Sequence, residues 1–489
     1  MRLQQANIAT ISAAAGVTVP SYARSALAPG IVHLGLGAFQ RANQALYTEA
    51  VLAAGDLRWG CIGVSLRQPD TRDALRAQDY LYSVAIRDAE AERLCVVGGL
   101  MHSLVAPENP KAVLTAMSDP RCHIVSLTVT EKGYCYDPAS RALQLDHPDI
   151  RHDLQHPQAP KSAIGFLVHA LARRRAAGLA PFTVLSCDNL PSNGDTTRGM
   201  VLSFALEFEP TLADWIASEG AFPNSMVDRI VPKTTAEDVA HVAACLGLED
   251  AWPVMTERFT QWVIEDRFAG PRPRWEDAGA TLVADAAPYE HAKLRMLNGS
   301  HSTLAYLGAL SAYETVDEAM ADAQLAGFVQ DMLAEEVEPT LARPGLPAYR
   351  AQLLQRFRNP ALKHKLQQIA MDGSQKIPQR LLATLQARLS AGASCERLGL
   401  ALAGWFHYLR GSDQAGRHYR ISDPLADVLQ AAAGCSDNPD ECVQALLGLE
   451  AVFGAVQTQP PTLAALLSRH LRQLREHGVA AAIAALSHH

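Results

Sequence analysis

The spacing of apolar residues changes once along the chain, near residue 285, and this change limits the possible architectures. Upstream, short apolar runs such as residues 31–37, 59–66, 81–86, 94–97 and 123–130 indicate strands, between which lie segments of helical spacing. That alternation predicts βαβ units and a mostly parallel sheet. Downstream of about Pro288, only helical patterns follow one another, from residues 293–312 and 316–335 to 461–475. We therefore predict an α/β domain over residues 1–285 and a mostly α-helical domain over residues 286–489.

Length and charge place the chain among ordinary globular proteins and exclude several classes of function. Its 489 residues are too many for one core, which agrees with two domains. The net charge of −8 argues against a nucleic-acid partner, because proteins that bind nucleic acids present a basic surface. The longest apolar stretch, residues 398–409, is too short to cross a bilayer and indicates a buried helix, so we expect no membrane partner.

Cysteine usage indicates the environment in which the chain works. Nine cysteines are scattered singly without a CxxC pair, so neither a disulfide framework nor a zinc site is indicated. The first residues lack the apolar region of a signal peptide. We expect a protein of the reducing cytoplasm without a bound metal. Nothing resembles a coiled coil or an exposed interface stripe, and we expect a monomer or a weak homo-oligomer.

A glycine-containing turn follows the first predicted strand. Gly35 and Gly37 stand between that strand and a helical segment, where a dinucleotide fingerprint would lie. Glycines let the backbone approach a pyrophosphate, and the start of the helix supplies N–H donors. Phe39 and Arg41 continue the segment, and Arg41 could pair with a phosphate. The third glycine of the fingerprint is replaced by Gln40, and the alternative interpretation is a plain strand-to-helix turn.

Further cofactor contacts are predicted at the ends of two other strands. In dinucleotide-binding folds an acidic residue usually follows the second strand and holds the adenosine ribose. This chain offers Arg67 there, which could stack on adenine or bind a 2′-phosphate, so NAD and NADP both stay open. Thr130 and Glu131 follow another predicted strand and are candidates for the same site, the alternative being a plain β-turn.

The segment Lys293-Leu-Arg-Met-Leu-Asn298-Gly-Ser-His301 carries an amine, an amide and an imidazole. At roughly 100° per residue, His301 lies between Lys293 and Asn298 on a helix, and all three could meet one small ligand. A lysine on a half-buried helix can lose enough pKa to act as a base near neutrality. Asn298 could hold a developing alkoxide, and His301 could orient the same oxygen. The alternative is a surface lysine, a capping asparagine and a core histidine.

Four more polar residues are candidates for a substrate site. Asn189 follows a strand, at the edge where parallel sheets bind ligands, and could be a second amide donor, the alternative being an Asx-turn. Asp228 could position substrate hydroxyls or form a structural ion pair with its neighbour. Lys376 and Arg380 are four residues apart and could bind an anionic substrate, although a solvated basic face is the usual outcome for such pairs.

Together these segments resemble the long-chain, metal-independent mannitol dehydrogenase family of polyol dehydrogenases. The similarity covers nearly the whole chain, through residues 31–44, 128–134, 186–194, 227–232, 293–302 and 372–380. It implies a Rossmann-type, dinucleotide-binding N-terminal domain and a helical C-terminal domain that binds the substrate. The family favours NAD. Its glycine loop often carries histidines where this chain has Gln40 and Asn43.

The resemblance also implies roles for individual residues. Lys293 would be the general acid and base, with Asn189 and Asn298 stabilising the alkoxide. His301 would bind and orient the substrate, and Asp228 would contact its hydroxyls.

One more carboxylate and two further segments complete what the resemblance implies. Glu290, one turn before the lysine, matches a family carboxylate linked to proton exchange with solvent. Residues 375–380 and 261–266 are most similar to the family members that process hexuronates. We therefore expect an NAD-dependent oxidoreductase that interconverts D-fructuronate and D-mannonate. The alternatives are an enzyme for an uncharged polyol such as mannitol or D-arabinitol, and a non-catalytic protein that binds NAD(H) or a sugar.

Overall fold

The computed structural model describes residues 1–11, 16–88, 91–137, 142–360 and 363–486. The chain divides into two compact units, Met1–Ala287 and Pro288–His489. In the described ranges, no helix has both the length and the apolar character that a membrane span requires.

The first unit is built around a parallel sheet. Its strands are β1 Val17–Thr18, β2 Ile31–Leu34, β3 Cys61–Ser65, β4 Tyr82–Arg87, β5 Glu92–Val97, β6 Leu100–Val105, β7 Ile124–Leu127, β8 Tyr136–Asp137, β9 Ala142–Leu143, β10 Thr183–Ser186, β11 Ser225–Asp228, β12 Val254–Glu257, β13 Gln261–Glu265 and β14 Thr281–Val283. Five strands pair in parallel in the order β10-β7-β2-β3-β6. From β2 the chain moves to β3 and β6 on one side, and later to β7 and β10 on the other. The strand order therefore reverses between β2 and β7, at the point where open α/β sheets bind ligands.

Not every predicted strand joins the parallel sheet. The runs at residues 81–86 and 94–97 become β4 and β5, which pair antiparallel in a separate four-stranded sheet of order β1-β5-β4-β12. Only a short connection separates β4 from β5, and a connection that short permits only an antiparallel pair. Two smaller sheets, β11-β13-β14 and β8-β9, complete the unit.

Helices cover both faces of the parallel sheet. Those of the first unit are α1 Ala38–Ala42, α2 Gln44–Ala53, α3 Asp70–Arg76, α4 Pro110–Ser118, α5 Pro148–Gln155, α6 Ala163–Ala176, α7 Asn193–Phe208, α8 Pro210–Glu219 and α9 Ala236–Leu246. Val32 and Val125 pack into one apolar core, and Ile31 and Ile124 pack into the other. Because both faces are buried, these strands appear in the sequence as continuous apolar runs rather than alternating ones.

The described residues of the second unit form helices and no strand. The helices are α10 Ala287–Ala292, which begins at the boundary, and α11 Gly299–Leu310, α12 Val316–Ala321, α13 Ala323–Asp331, α14 Leu346–Phe357, α15 Leu366–Ala370, α16 Gly373–Ile377, α17 Ala383–Ser390, α18 Glu396–Tyr408, α19 Ala426–Ala433, α20 Pro439–Leu447, α21 Glu450–Phe453 and α22 Leu463–Leu486. Short 3₁₀ turns occur in both units, at Ile8–Thr10, Arg24–Ala26, Glu131–Tyr134 and Trp275–Ala278 in the first and at Glu338–Thr340 and Val456–Thr458 in the second. The buried helix predicted over residues 398–409 is confirmed as α18.

Three π-helical segments interrupt the helices of the second unit within the described ranges: Lys293–Asn298, Met332–Val337 and Pro378–Leu382. In the first, the backbone N–H of Gly299 bonds the carbonyl of Leu294, five residues back. The spacing of roughly 100° per residue that we assumed for residues 293–298 is therefore wrong, because i→i+5 hydrogen bonds widen the turn. π-bulges of this kind are frequent at functional sites.

Candidate active site

The turn after β2 lies beside the end of β7, where the strand order reverses. Gly35 has a φ of +93°, and a Cβ there would lie 2.2 Å from the carbonyl oxygen of Thr128. Only glycine fits this position. At Gly37, the nearest atom to an added Cβ is the Gly35 carbonyl oxygen at 3.7 Å. The turn itself therefore does not require a second glycine, and the space at Gly37 is open to a ligand.

A buried histidine fixes the geometry of this turn. His33 Nδ1 lies 2.8 Å from the Ser126 hydroxyl, and Nε2 lies 2.8 Å from the Thr128 hydroxyl. The Thr128 hydroxyl in turn donates to the Gly35 carbonyl at 2.9 Å. Burial lowers the pKa of His33 to about 3, so the ring is neutral at physiological pH. His33 was not among the residues predicted from the sequence, although a single polar side chain inside a buried strand was a detectable signal.

Arg41, which we predicted to pair with a phosphate, is turned into the protein. Its Nη1 donates to the carbonyl of Trp252 at 2.5 Å, and its guanidinium lies 5.2 Å from the centre of the Tyr82 ring. Only 3% of the residue is exposed, and burial lowers its pKa to about 10. These contacts do not support a phosphate contact by Arg41, which stays a prediction. Phe39, in the same short helix, is half-buried against the core that contains Tyr82.

The end of β3 carries a cation and no carboxylate. Arg67 follows the strand by two residues and is exposed. Asp70 is the first residue of α3 and lies in its first turn. The position at which an acid would hold an adenosine ribose is thus flanked by a guanidinium, in agreement with the sequence.

Asp188 ties the loop after β7 to the loop after β10. Its carboxylate accepts hydrogen bonds from the backbone N–H groups of Val129 and Thr130, both at 2.9 Å, and from the Tyr134 hydroxyl at 2.8 Å. Burial nevertheless raises the pKa of Asp188, because desolvation outweighs these donors. Thr130 has a φ of +64°, a backbone conformation that a β-branched residue rarely adopts. The hydrogen bonds that Asp188 accepts from Val129 and Thr130 hold this loop in place. Thr130 and the next residue, Glu131, are exposed at the edge of the sheet.

A buried amide, that of Asn193, joins β10 to β11. Asn193 donates to the carbonyl of Ser225 at 2.9 Å and to the carbonyls of Ser186 and Asp188, both at 3.1 Å. The side-chain carbonyl of Asn193 accepts a hydrogen bond from the backbone N–H of Ser225 at 2.8 Å. These bonds position the loop that carries Asn189, an exposed residue.

Asp228 ends β11 and is 4% exposed. Its neighbour Arg229 donates to the backbone carbonyls of Ala42 at 2.7 Å and Glu257 at 2.9 Å. Burial lowers the pKa of Arg229 to about 10. These backbone contacts hold Arg229 in place, and nothing in them favours the structural ion pair over the substrate role for Asp228.

In the second unit, the segment Lys293–Asn298 opens the buried helix α11. In a π-helical turn, residues five apart lie one above the other, which places Lys293 and Asn298 on one face. Both are half-buried, as is Glu290 in the preceding turn. The Asn298 side chain makes no capping hydrogen bond, so the capping interpretation of this residue is wrong.

His301 lies in α11 and is 7% exposed. Its ring packs against Phe357, with ring centres 4.6 Å apart, and meets the edge of His364 at 5.5 Å. Burial lowers the pKa of His301 well below its usual value, and His364, Arg356 and Arg380 lower it further. The imidazole is therefore neutral at physiological pH and can hold an oxygen by a hydrogen bond without a formal charge.

The structure brings Arg380 onto the same segment. Its Nη1 donates to the Ser302 hydroxyl at 3.2 Å and to the Asn298 carbonyl at 3.4 Å. The backbones approach closely here, since a Cβ on Gly299 would lie 2.9 Å from the Arg380 carbonyl oxygen. Arg380 lies in the π-helical segment that begins at Pro378, a residue without the N–H that a regular α-helical turn would use.

Lys376 precedes this π-helical segment and is half-buried. Its Nζ donates to the carbonyl of Ile369 at 3.3 Å. Burial lowers the pKa of His364, and the positive charge of Lys376 lowers it further. The second unit thus gathers Lys293, Asn298, His301 and Arg380 around one helix start.

A group of side chains elsewhere in the described part of the chain has the chemistry of metal ligands. One ligand atom each from Glu92, His241 and Cys245 lies within 4.8 Å of the others. His241 Nε2 is 2.6 Å from one Glu92 oxygen, and Arg87 Nε is 2.6 Å from the other. The guanidinium disfavours a further cation beside Glu92, and we assign the group to an ion-pair network.

Comparisons with known proteins agree with this architecture. A family model described as the Mannitol dehydrogenase Rossmann domain matches residues 29–277, and one described as the Mannitol dehydrogenase C-terminal domain matches residues 285–474. The chain is 43% identical to a mannitol 2-dehydrogenase of Phaeosphaeria nodorum, over 98% of this chain and 85% of that protein. It is 44% identical to a D-mannonate oxidoreductase of Escherichia coli, over 96% of this chain and 98% of that protein.

A solved structure gives the same result. Pseudomonas fluorescens mannitol 2-dehydrogenase, in a ternary complex with NAD and D-mannitol, matches with a TM-score of 0.87 at 38% identity, over 100% of both chains. The parallel sheet with its glycine turn, the helical second unit and these similarities together show that the chain belongs to the mannitol dehydrogenase family of oxidoreductases.

Proposed function

We propose that this protein is an NAD-dependent oxidoreductase that interconverts D-fructuronate and D-mannonate without a catalytic metal. The observation that carries the proposal is the contact of Arg380 with Asn298 and Ser302, because it sets a guanidinium beside the segment that contains the lysine. A guanidinium in this position suits a substrate with a carboxylate, such as fructuronate or mannonate.

The residues at the reversal of the strand order fit a dinucleotide. Gly35 can adopt its backbone conformation only as glycine, and Gly37 leaves open space beside the turn. We propose further cofactor contacts by the side chains of Phe39, Arg67, Thr130 and Glu131. The bound nicotinamide would supply or accept the hydride. Arg67 keeps NADP open, since it could meet a 2′-phosphate.

Lys293 is the proposed general acid and base. In the direction of reduction, its ammonium group gives a proton to the oxygen that becomes the new hydroxyl. In the reverse direction, the neutral amine takes that proton back. Asn298, on the same face of the π-helical turn, would donate its amide N–H to the developing alkoxide. Asn189 is the proposed second amide donor to this oxygen.

Five further residues would bind the substrate or move protons. Neutral His301 would orient the substrate oxygen, and buried Asp228 would accept hydrogen bonds from substrate hydroxyls. Glu290 would connect Lys293 to solvent as a proton relay. Lys376 and Arg380 would bind the carboxylate, and this pair is what separates the hexuronate proposal from the alternatives.

An enzyme for an uncharged polyol is the second candidate, favoured by the identity of 43% to a mannitol 2-dehydrogenase. A carboxylate-binding pair would give such an enzyme no advantage on mannitol or D-arabinitol. A non-catalytic protein that binds NAD(H) or a sugar is the third candidate. The complete set of Lys293, Asn298, Asn189 and His301 argues against it.

The test is a substrate panel followed by absorbance of NADH, with fructuronate, tagaturonate, fructose and D-arabinitol, and with NADPH alongside. We expect fructuronate to be reduced with the highest kcat/KM. In Lys376→Gln and Arg380→Gln, the ratio of kcat/KM for fructuronate to that for fructose should fall about 10- to 100-fold, the loss of a charged hydrogen bond. Because the ratio compares two substrates of the same variant, any general loss of activity in that variant cancels.

Two variants make the outcome decisive. Ser302→Ala removes a partner of Arg380 and keeps its charge, so the ratio should stay near that of the wild type. Lys293→Ala should lower kcat by about 10²-fold or more while NADH still binds. An unchanged ratio in both charge variants would favour the uncharged polyol. Binding of NADH without turnover of any substrate would favour the non-catalytic protein.

A further inference from the structure

Two cysteines lie side by side in the second unit, within the part that the structure describes. Cys435 follows α19, and Cys442 lies in α20. Their sulfur atoms are 4.0 Å apart. Cys435 is exposed, whereas Cys442 is fully buried. A small oxidant in solution can therefore reach one sulfur, and the other sulfur lies directly behind it.

The buried sulfur has polar neighbours that hold it in place. The Cys442 thiol donates to the carbonyl of Ser436 at 2.9 Å. Nη2 of Arg475, from α22, lies 3.4 Å from the same sulfur. Nη1 of Arg475 is anchored by the carbonyl of Asp437 at 3.1 Å. These contacts fix the position of the Cys442 sulfur beside Cys435.

We propose that Cys435 and Cys442 form a reversible redox site that closes to a disulfide when a hydroperoxide oxidises it. The two sulfurs must approach from 4.0 Å to about 2.05 Å, the length of a disulfide bond. Cys435 stands in the connection between two helices, where a side-chain rotation does not disturb a packed core. The bond would join the end of α19 to the first turns of α20.

The chemistry balances with a hydroperoxide as the oxidant. The Cys435 sulfur attacks the terminal oxygen of the peroxide, the O–O bond breaks, and Cys435 becomes a sulfenic acid while an alcohol or water leaves. The Cys442 sulfur then attacks the Cys435 sulfur, the S–O bond breaks, and the hydroxide departs as water with the Cys442 proton. In sum, two thiols lose two hydrogens and the peroxide is reduced.

The site is independent of the oxidoreductase function proposed above. None of the residues proposed for catalysis, substrate binding or cofactor binding contributes to it. The odd number of cysteines and their irregular spacing pointed away from any disulfide, because a pairing between residues seven apart has no sequence signature comparable to CxxC.

The test is to expose the whole protein to hydrogen peroxide at about pH 8, where more thiol is ionised than at neutrality. Free thiols are then counted after denaturation, and the peptides are mapped by mass spectrometry without reductant. We expect two of the nine thiols to disappear, a Cys435–Cys442 cross-link to be found, and dithiothreitol to restore all nine. Nine remaining thiols, or a cross-link from Cys435 to another cysteine, would overturn the proposal.

Single substitutions separate the roles of the two cysteines. Cys435→Ser changes an exposed residue and should abolish the loss of thiols, whereas the matched exposed control Cys245→Ser should still lose two. In Cys442→Ser, the Cys435 sulfenic acid should persist and be trapped by a 1,3-diketone reagent. The proposal fails if Cys435→Ser still loses a pair of thiols.

Discussion

At the scale of single residues, Gly35 and Gly37 are glycine for different physical reasons. Gly35 combines a φ of +93° with a carbonyl oxygen 2.2 Å from the position of a Cβ. Gly37 has an ordinary extended φ and no atom within 3.7 Å of that position. The first glycine is therefore explained by the fold, and the second is explained by what binds beside it.

Alanine substitutions should distinguish these two roles. Gly35→Ala should lower the free energy of unfolding by at least about 1–2 kcal/mol, because a left-handed backbone conformation becomes strained and Thr128 must move. Gly37→Ala should fold with a Tm close to that of the wild type but bind NADH about tenfold more weakly, or about 1.4 kcal/mol. Thermal unfolding and NADH fluorescence titration measure the two effects. Unchanged NADH affinity in Gly37→Ala would remove this turn from the proposed cofactor site.

Residue types and positions along the chain were enough to propose the glycine turn and the block that starts at Lys293. They were not enough to give side-chain directions. Arg41 had the right place for a phosphate contact but turns inward to Trp252. His33 and Asp188 were missed because their partners come from strands and loops far away in the sequence.

At the scale of elements, the periodicity of apolar residues predicted most strands and helices, yet it could not assign partners. It placed β4 and β5 in one parallel sheet, whereas their short connection makes them antiparallel. It also missed the π-helical segments, because five or six residues are too few to distinguish a wider turn from an ordinary one. The long helical pattern at residues 316–335 divides at Asp322, whose side chain caps a new helix at Gln324.

The conformation of the loop after β7 should depend on Asp188. In Asp188→Asn, one carboxylate oxygen becomes an NH₂ group that faces a hydrogen-bond donor, so at least one donor loses its acceptor. We expect a loss of about 1–3 kcal/mol in the free energy of unfolding and a raised KM for NADH, because Thr130 and Glu131 lose their support. Urea unfolding and steady-state kinetics measure both.

The exposed Asp70→Asn is the matched control and should change neither quantity. If Asp188→Asn behaves like this control, the two loops are held together by other contacts.

At the scale of the whole molecule, buried histidines make stability depend on pH. The folded protein holds the pKa of His33 at about 3 and that of His407 at about 4, in both cases chiefly by burial, and it lowers that of His301 strongly. Unfolded histidines titrate near 6.5. Below that pH the unfolded chain binds more protons, so stability is lost as the pH falls. Glu49, whose pKa burial raises to about 6, acts in the opposite direction.

The free energy of unfolding should therefore decrease between about pH 7 and pH 5, before most carboxylates titrate. His407→Gln removes one of the groups that cannot accept a proton in the folded state, and its curve of stability against pH should be less steep than that of the wild type. Chemical unfolding at a series of pH values measures the slope, whatever the absolute stability of the variant. Parallel curves would show that His407 can be protonated without unfolding.

The wide turn at Lys293–Asn298 makes the alignment of its amine and carboxamide depend on its hydrogen-bond pattern. The same sequence wound as an ordinary α-helix would keep every functional side chain, but five steps of roughly 100° would leave the two groups about 140° apart around the axis. A homologue with the same polar residues and a regular helix here would therefore keep the composition of this site and lose its geometry. One with a residue fewer would bring the two groups back to a single face, because residues four apart on an α-helix are neighbours.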